Sequence, residues 1–329
     1  MSRTNKDDDQ ENTYKKHAQL ITKLPKTVNW LAEELFLYQG YWFYKAALLG
    51  LMLLQDHFKP RPHDFILSSF VKSGTTWLRS LMFSTLYRST FDFDDHPLLQ
   101  KGPHEIFPWL DVAFNNMEDD IASPRLFASH FAHSLFPSSI TNPSTGCKFV
   151  YVCRDPKDVI VSSFHFYKYI RPKGVPPLSF DQVFDMFCEG EMSYGPYWDH
   201  VLGFWKASID SPNKILFLNY EEIKREPKVI VKRLGEFMGV TFSVDEEENG
   251  VVEKIVKFCS FEHLKNLEVN KNGIHQVGIG LGLEIENKSF FRRGEVGDWM
   301  NYLTPEMRQR IDSIVKEKFK GSGLIFGDL

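Results

Sequence analysis

A short Gly/Ser/Thr loop between a predicted strand and a predicted helix constrains the fold of this chain more than any other feature. The apolar run 64–71 follows Pro62 and precedes the loop Lys72-Ser73-Gly74-Thr75-Thr76, so it predicts a buried strand. From Thr76 to Arg88 the apolar residues recur at helical spacing. A strand, a tight loop and a helix N-terminus in this order offer unpaired backbone N–H groups to an anion. An ordinary Gly-Thr helix cap would give the same local pattern.

Three further apolar runs predict strands, at 125–129, 147–153 and 214–219. Helical patterns separate and follow them. The segments with these patterns are 30–55, a helix opened by Pro156, 179–190, 198–208, 229–238, 247–258 and 305–320. Strands that alternate with helices predict an α/β fold, here a single domain with a central parallel sheet flanked by helices.

The same patterns along the chain predict its domain organisation. We expect a disordered N-terminal tail over residues 1–20 and one domain over residues 21–329. The Gly-rich, non-periodic segment 271–288 is long enough to form a lid or a gating loop. The polar start of the chain lacks the apolar core of a signal peptide, and the apolar stretch 40–54 is short for a membrane span. We therefore expect a cytoplasmic protein that does not bind a membrane.

Composition excludes several classes of function. The chain has 329 residues, of which 39 are Lys or Arg and 43 are Asp or Glu, so its net charge is −4. A protein that wraps nucleic acid needs a basic excess, so we expect no nucleic-acid partner. The four cysteines have no CxxC spacing, which argues against a zinc site and a disulfide framework. Any bound anion must therefore be held by a local cluster of donors.

The loop at residues 72–76 differs from the phosphate loop of nucleotide triphosphatases. Lys72 leads the loop, whereas the ATPase lysine stands at its far end, before a Mg²⁺-binding hydroxyl. The strand 147–153 is followed by Arg154, where an ATPase would have an acidic residue for Mg²⁺. A second cation at the same sheet edge suggests a second phosphate site. A nucleotide kinase that uses ATP and Mg²⁺ is therefore disfavoured, and we expect no metal site.

Three motifs together resemble those of a known family, the soluble PAPS-dependent sulfotransferases, and in particular its plant-type members. Phe70-Val-Lys-Ser-Gly-Thr-Thr-Trp77 is similar to the family's YPKSGTTW loop, which holds the 5′-phosphosulfate. Residues 154–162 are similar to its 3′-phosphate motif, and residues 291–299 to its RKGxxGDW segment. The resemblance covers about residues 28 to 326, and residues 259–267 and 320–324 resemble plant members most.

The resemblance implies a donor co-substrate, 3′-phosphoadenosine-5′-phosphosulfate (PAPS), with no metal, and sulfuryl transfer to a hydroxyl. It implies that Lys72 neutralises the leaving 5′-phosphate and that Ser73, Gly74, Thr75 and Thr76 supply donors. The residues that it assigns to the adenine are Trp77, Tyr220 and Phe261. Those that it assigns to the 3′-phosphate are Arg154, Ser162, Arg292, Arg293 and Gly294.

The sequence departs from the family pattern at three positions of interest. Val71 replaces the loop proline, which removes no donor, and Arg293 stands where lysine is usual. Ala128 occupies a position that is lysine in mammalian-type members and small in plant-type ones. A segment through which mammalian-type members dimerise is changed at 300–309, where Pro305 lacks a backbone donor. We therefore expect a monomer.

Acceptor activation requires a general base, for which histidine is the usual residue. Composition does not choose among the eleven histidines. His130 ends a predicted strand at the same sheet edge as Lys72 and matches the family's Ser/Thr-His segment, so it is the candidate base. We expect His133 to face away from it, and we interpret His104 as structural or adjacent to the acceptor.

The family's acceptors are small molecules, mostly phenols and alcohols on hydrophobic skeletons, among them flavonoids, steroids, hydroxyjasmonate and desulfoglucosinolates. The sequence does not choose among them. Aromatic candidates for the acceptor pocket are Phe107, Trp109, Phe131, Phe164, Phe166 and Tyr167. A catalytically inactive protein that senses PAPS or a hormone is a second interpretation, and the intact Lys72, His130, Arg154 and Ser162 argue against it.

Overall fold

The computed structural model describes residues 3–111, 123–276 and 284–326, with side chains from residue 12 onward. Its strands are β1 (Lys26–Val28), β2 (Glu34–Tyr38), β3 (Tyr41–Tyr44), β4 (Phe65–Ser69), β5 (Leu126–Ser129), β6 (Lys148–Cys153), β7 (Ile215–Asn219), β8 (Ile274–Gln276) and β9 (Glu284–Glu286). Its α-helices are α1 (Arg3–Ile21), α2 (Lys45–His57), α3 (Thr75–Leu86), α4 (Ser138–Thr141), α5 (Pro156–Ile170), α6 (Phe180–Glu189), α7 (Tyr197–Asp210), α8 (Tyr220–Arg225), α9 (Pro227–Met238), α10 (Val244–Glu248), α11 (Val251–Phe258), α12 (Phe261–Asn266), α13 (Glu268–Asn272) and α14 (Pro305–Lys318).

Four strands form the predicted parallel sheet, in the order β5-β4-β6-β7. All four sequence-predicted strands are therefore confirmed. The sheet has a hydrophobic core on each face, as its continuous apolar strands require. In the register, Ser68 lies beside Ser129 and Ser69 beside Val152. The carboxyl ends of β4, β5 and β6 therefore meet at one edge, where ligands bind in open α/β sheets.

The prediction of one aromatic helical region over residues 30–55 is wrong in its first half. Strands β2 and β3 pair there as an antiparallel hairpin, with Tyr38 opposite Tyr41, and the helix α2 begins only at Lys45. Gln39 and Gly40 form the turn with positive φ angles of 49° and 86°. Two consecutive residues with positive φ give the turn that matches the twist of a hairpin. The aromatic residues on both sides pack as strands rather than as one helical face.

The expected disordered tail over residues 1–20 differs from the structure, in which residues 3–21 form the helix α1. The end of this helix packs against α2, and Ile21 is fully buried. The His17 imidazole contacts the Asp56 carboxylate at 2.7 Å. These contacts join residues that are distant in the sequence, so local composition did not indicate them.

Two segments have secondary structure that differs from the sequence prediction. The predicted helix 247–258 is divided between α10 and α11, because Gly250 adopts a positive φ of 67°. The segment 271–288 begins and ends with the paired strands β8 and β9, while residues 277–283 lie outside the described ranges. No helix in the described ranges has the length and apolar character needed to cross a membrane.

A buried ion pair joins the beginnings of β4 and β5. The Arg125 guanidinium donates to both carboxylate oxygens of Asp64, at 2.8 and 2.5 Å, and both side chains are almost fully buried. Removal of one partner from such a pair leaves an uncompensated buried charge, which costs about 3–5 kcal/mol.

We therefore expect Asp64→Ala to lower the free energy of unfolding by about 3–5 kcal/mol in urea denaturation. The control is Glu247→Ala, which removes the exposed partner of Lys232 and should change it by less than about 1 kcal/mol. Equal effects of the two substitutions would show that the buried pair has no special role in the fold.

Candidate active site

One cavity of about 580 Å³ opens at the carboxyl edge of the parallel sheet, and almost all of the sequence-predicted site residues line it. Those that line it are Lys72, Gly74, Thr75, Thr76, Trp77, His130, Arg154, Ser162, Tyr220, Phe261, Arg292, Arg293 and Gly294. Ser73 is the exception, since it lies fully buried within the loop beside the cavity. No Asp or Glu is among the described residues that line this cavity.

The loop between β4 and α3 has the geometry of an anion site. Lys72 and Gly74 have positive φ angles of 64° and 116°, so the chain turns sharply before α3 begins at Thr75. The Thr75 hydroxyl lies 2.6 Å from the Ser69 hydroxyl, which fixes the loop to the end of β4. The buried Ser73 hydroxyl has no hydrogen-bond partner among the described residues. This donor and the N-terminus of α3 are available to an anion.

The Lys72 ammonium lies over aromatic rings and faces other cations. Its Nζ is 3.9 Å from the centroid of the Phe166 ring, and the described residues offer it no hydrogen bond or ion pair. Burial, with smaller contributions from Arg154 and Arg292, lowers the pKa of Lys72 to about 7. A bound anion would relieve the cost of this charge.

Arg154 extends the positive charge to the second predicted phosphate site. Its Nε is buried without a hydrogen-bond partner among the described residues, and its guanidinium lies 4.5 Å from the centroid of the Tyr220 ring. Arg292 and Arg293 come from the C-terminal segment and both pair with the buried Asp298, Arg292 at 2.6 Å. Sequence reasoning missed this carboxylate, which holds the two arginines at the cavity wall.

The predicted adenine residues line the same cavity, and two glycines leave room for the rings of Tyr220 and Phe261. The Trp77 and Tyr220 rings meet edge to face, with their centroids 5.8 Å apart. A Cβ atom on Gly74 would lie 2.7 Å from the Tyr220 ring, and one on Gly294 would lie 2.5 Å from the Phe261 ring. Any larger side chain at either glycine would displace an aromatic ring from the cavity wall.

The hydrogen bonds of His130 set its tautomer. Its Nδ1 lies 2.7 Å from the Ser69 carbonyl oxygen, which only accepts, so Nδ1 carries the proton. Nε2 is then the unprotonated nitrogen. Burial is the main cause that lowers the pKa of His130 to about 4, while the bond to Ser69 opposes the shift. The ring is therefore neutral at physiological pH and can accept a proton.

The backbone of His130 is held from both sides. Its N–H donates to the buried Asp111 carboxylate at 3.0 Å, and the His200 Nε2 donates to its carbonyl oxygen at 2.9 Å. These contacts and the bond to Ser69 fix the imidazole with little freedom, as a general base requires.

The other two histidines considered from the sequence have different surroundings. The His104 Nε2 lies 2.9 Å from the Thr76 hydroxyl, and its ring stacks on Phe290 at 3.9 Å, so it lines the cavity beside the loop. His133 packs against Phe149 and Phe204 in the core and does not line the cavity. No group of three or more described His, Cys, Asp or Glu residues could hold a metal ion.

The aromatic candidates for the acceptor pocket are only partly brought together. Phe166 and Tyr167 line the cavity, and the Trp109 ring lies 4.8 Å from His130. The expectation for the other three is wrong: Phe107 packs against the Arg79 guanidinium and Phe131 against Phe43, both in the core.

Phe164 is the third candidate for the acceptor pocket that does not line the cavity. It packs against Phe180 on another part of the surface. Sequence reasoning missed several residues that line the cavity, among them Tyr169, His165 and Phe290. Helical spacing could have indicated the first two, since Ser162, His165, Phe166 and Tyr169 share one face of α5.

A family model described as "Sulfotransferase domain" matches residues 62–323 of this chain. The chain belongs to the sulfotransferase family. Cytosolic sulfotransferase 16 of Arabidopsis thaliana is 45% identical over 324 residues, which cover 97% of this chain and 94% of that protein. A flavonol sulfotransferase-like protein of Flaveria bidentis is 43% identical over 312 residues, with coverage of 93% and 99%. The chain is thus similar to plant cytosolic sulfotransferases along nearly all of its length.

A solved structure supports the same grouping. The structure of mouse sulfotransferase SULT7A1 in complex with PAP is 26% identical in sequence and superposes with a TM-score of 0.68. The match covers 88% of this chain and 95% of the mouse chain. The parallel sheet flanked by helices is therefore the sulfotransferase fold.

Lys72 should titrate far below an ordinary lysine. We expect reductive ¹³C-methylation followed by NMR to show one dimethyl-lysine signal with a midpoint near pH 7, because burial disfavours the ammonium. Lys72→Arg assigns this signal by removing it. A spectrum in which every lysine signal titrates above about pH 9, near the ordinary lysine pKa, would contradict the cavity's electrostatics.

Proposed function

We propose that this sulfotransferase moves the sulfuryl group of PAPS to a hydroxyl of a small hydrophobic acceptor, with His130 as the general base. The observation that carries the proposal is one cavity that joins a neutral, fixed imidazole to a group of cations with few counter-charges. A bisphosphorylated donor supplies the missing negative charge, and the imidazole supplies the proton acceptor.

The residues present fit PAPS at both of its anionic ends. The Ser73 hydroxyl and the Arg154 Nε are buried donors that lack partners among the described residues, and each lies at one of the two proposed anion sites. The aromatic walls formed by Trp77, Tyr220 and Phe261 suit a nucleotide base between these sites. We assign Lys72 and the 73–76 loop to the 5′-phosphosulfate, and Arg154, Ser162 and Arg292–Gly294 to the 3′-phosphate.

In the proposed reaction the acceptor oxygen forms a bond to sulfur while the bond from sulfur to the bridging phosphate oxygen breaks. His130 takes the acceptor proton at Nε2, because Nδ1 is already committed to the Ser69 carbonyl. Lys72 stabilises the negative charge that develops on the leaving phosphate. No step requires a metal, since side-chain cations neutralise the anion.

Part of the wall of this cavity is apolar and aromatic, formed by Phe166, Tyr167, Tyr169 and Phe290, and we assign it to the acceptor. These walls support a phenol, flavonoid, steroid or similar alcohol, and the Flaveria relative is named for a flavonol. We propose a cytoplasmic enzyme, as its relatives are named cytosolic. We also propose that it acts as a monomer, without nucleic acid, and that residues 21–329 form the functional unit.

Nucleotide selectivity tests the donor. Adenosine 3′,5′-bisphosphate (PAP) should bind at least about tenfold more tightly than adenosine 5′-phosphate (AMP), because each charge-assisted hydrogen bond to a phosphate is worth about 1.5–3 kcal/mol. Isothermal titration calorimetry measures both affinities. Equal affinities would refute the proposed 3′-phosphate site.

His130→Ala tests the base. We expect its turnover with PAPS and an aliphatic alcohol acceptor to fall by about 10²–10⁴, while PAP affinity stays within a few-fold. A more acidic phenol acceptor should lose less rate, because it ionises without help. His57→Ala, on the exposed side of α2 and outside the cavity, is the matched control and should retain wild-type turnover. A folded His130→Ala variant with unchanged turnover of both acceptors would exclude His130 as the base.

A further inference from the structure

We propose that Asp158 is a positioning residue that holds the two separate halves of the 3′-phosphate site in register. This inference rests on the proposed function. One half, Arg154 and Ser162, lies at the end of β6 and on α5, and the other, Arg292–Gly294, is more than 120 residues later in the chain. The two halves must be fixed relative to each other within a fraction of an ångström to share one phosphate.

Asp158 lies in the first turn of α5, one turn after Arg154. Its carboxylate accepts hydrogen bonds from the backbone N–H of Gly297 at 2.8 Å and of Trp299 at 3.1 Å. The same carboxylate lies 3.4 Å from the Arg154 guanidinium. The side chain is 1% exposed, so these contacts are made out of water. One buried carboxylate thus contacts Arg154 of the first half and the backbone that follows the second half.

The two backbone groups that Asp158 binds stand on either side of Asp298. That residue pairs with both Arg292 and Arg293, so it determines where their guanidinium groups lie. Asp158 therefore acts on the arginines through two steps: it fixes the backbone around Asp298, and Asp298 holds the side chains. Asp158 itself does not line the cavity, and it contacts the proposed nucleotide site through Arg154, which does.

An amide side chain could not replace the Asp158 carboxylate in these contacts. The carboxylate accepts with both oxygens at once, whereas an asparagine would present an NH₂ donor to one of the two N–H groups. Asp158→Asn should therefore detach Gly297 or Trp299 and leave Asp298 less well placed. The effect should fall on the 3′-phosphate and not on the adenine or the 5′-phosphate, whose residues lie in other segments.

The experiment compares PAP and AMP affinities by calorimetry in the wild type and in Asp158→Asn. We expect the ratio of the two affinities to fall by about tenfold or more, while AMP affinity changes by less than about threefold. Hydrogen exchange of a peptide that contains Gly297 and Trp299 should become faster in the variant, because their amide protons lose an acceptor.

Asp155→Asn is the matched control. Asp155 caps the same helix, accepting from the Lys157 N–H at 2.8 Å, and asparagine is an equally good cap. This substitution removes the same charge from the same turn, yet it should leave the affinity ratio and the exchange of the 297–299 amides unchanged. If Asp158→Asn does not fold, Asp158→Glu keeps the charge and displaces the carboxylate by one methylene, and it should also lower the ratio.

The outcomes separate this inference from the proposed function. A wild-type protein that binds PAP and AMP equally would overturn the proposed 3′-phosphate site itself. A wild type that prefers PAP, together with a folded Asp158 variant that keeps the full preference, would overturn only the role of Asp158. Equal losses of PAP and AMP affinity with a lower melting temperature would show that Asp158 supports the fold in general, which also contradicts the proposal.

Discussion

Positive charge with few counter-charges at the carboxyl edge of the parallel sheet is the constraint on which the site depends. Lys72 lies over an aromatic ring, with a pKa lowered to about 7, and Arg154 keeps a buried nitrogen without a partner among the described residues. Such an arrangement costs stability in the free protein and is compensated when an anion binds. The register of the strands brings these groups together, and the loop before α3 adds its backbone donors.

The same low-polarity cavity keeps the His130 imidazole uncharged, which the proposed role as general base requires. Burial disfavours the charged forms of Lys72 and His130 alike, so both pKa values fall, to about 7 and about 4. A bound nucleotide would restore the lysine's charge through direct contact. In the proposed reaction His130 stays neutral until it takes the acceptor proton at Nε2, while its Nδ1 proton remains bonded to the Ser69 carbonyl. Burial in one cavity thus shifts both pKa values in the directions that the proposed roles of Lys72 and His130 use.

The sequence was sufficient for the sheet and for most of the cavity wall, because each strand is a compact apolar run with its polar residues directly after it. It was insufficient where contacts between distant segments decide the structure. The β2–β3 hairpin depends on positive φ angles at Gln39 and Gly40, and α1 depends on packing against α2. The motif at residues 291–299 gives the order of its residues but not their contacts, so it did not predict that Arg292 and Arg293 pair with Asp298. Phe107 and Phe131 were candidates for the acceptor pocket but are buried in the core. The sequence alone does not distinguish an aromatic residue that lines a pocket from one that packs in the core.

The central claim is sulfuryl transfer, and turnover of PAPS with a panel of hydroxylated acceptors tests it most directly. Mass spectrometry of each reaction should find a sulfated acceptor and PAP in equal amounts, formed only when protein, PAPS and acceptor are all present. Balanced formation of both products with at least one phenol, flavonoid or steroid alcohol is the result that this account predicts. Tight binding of PAPS without any transfer across the panel would contradict it and would favour a protein that senses the nucleotide.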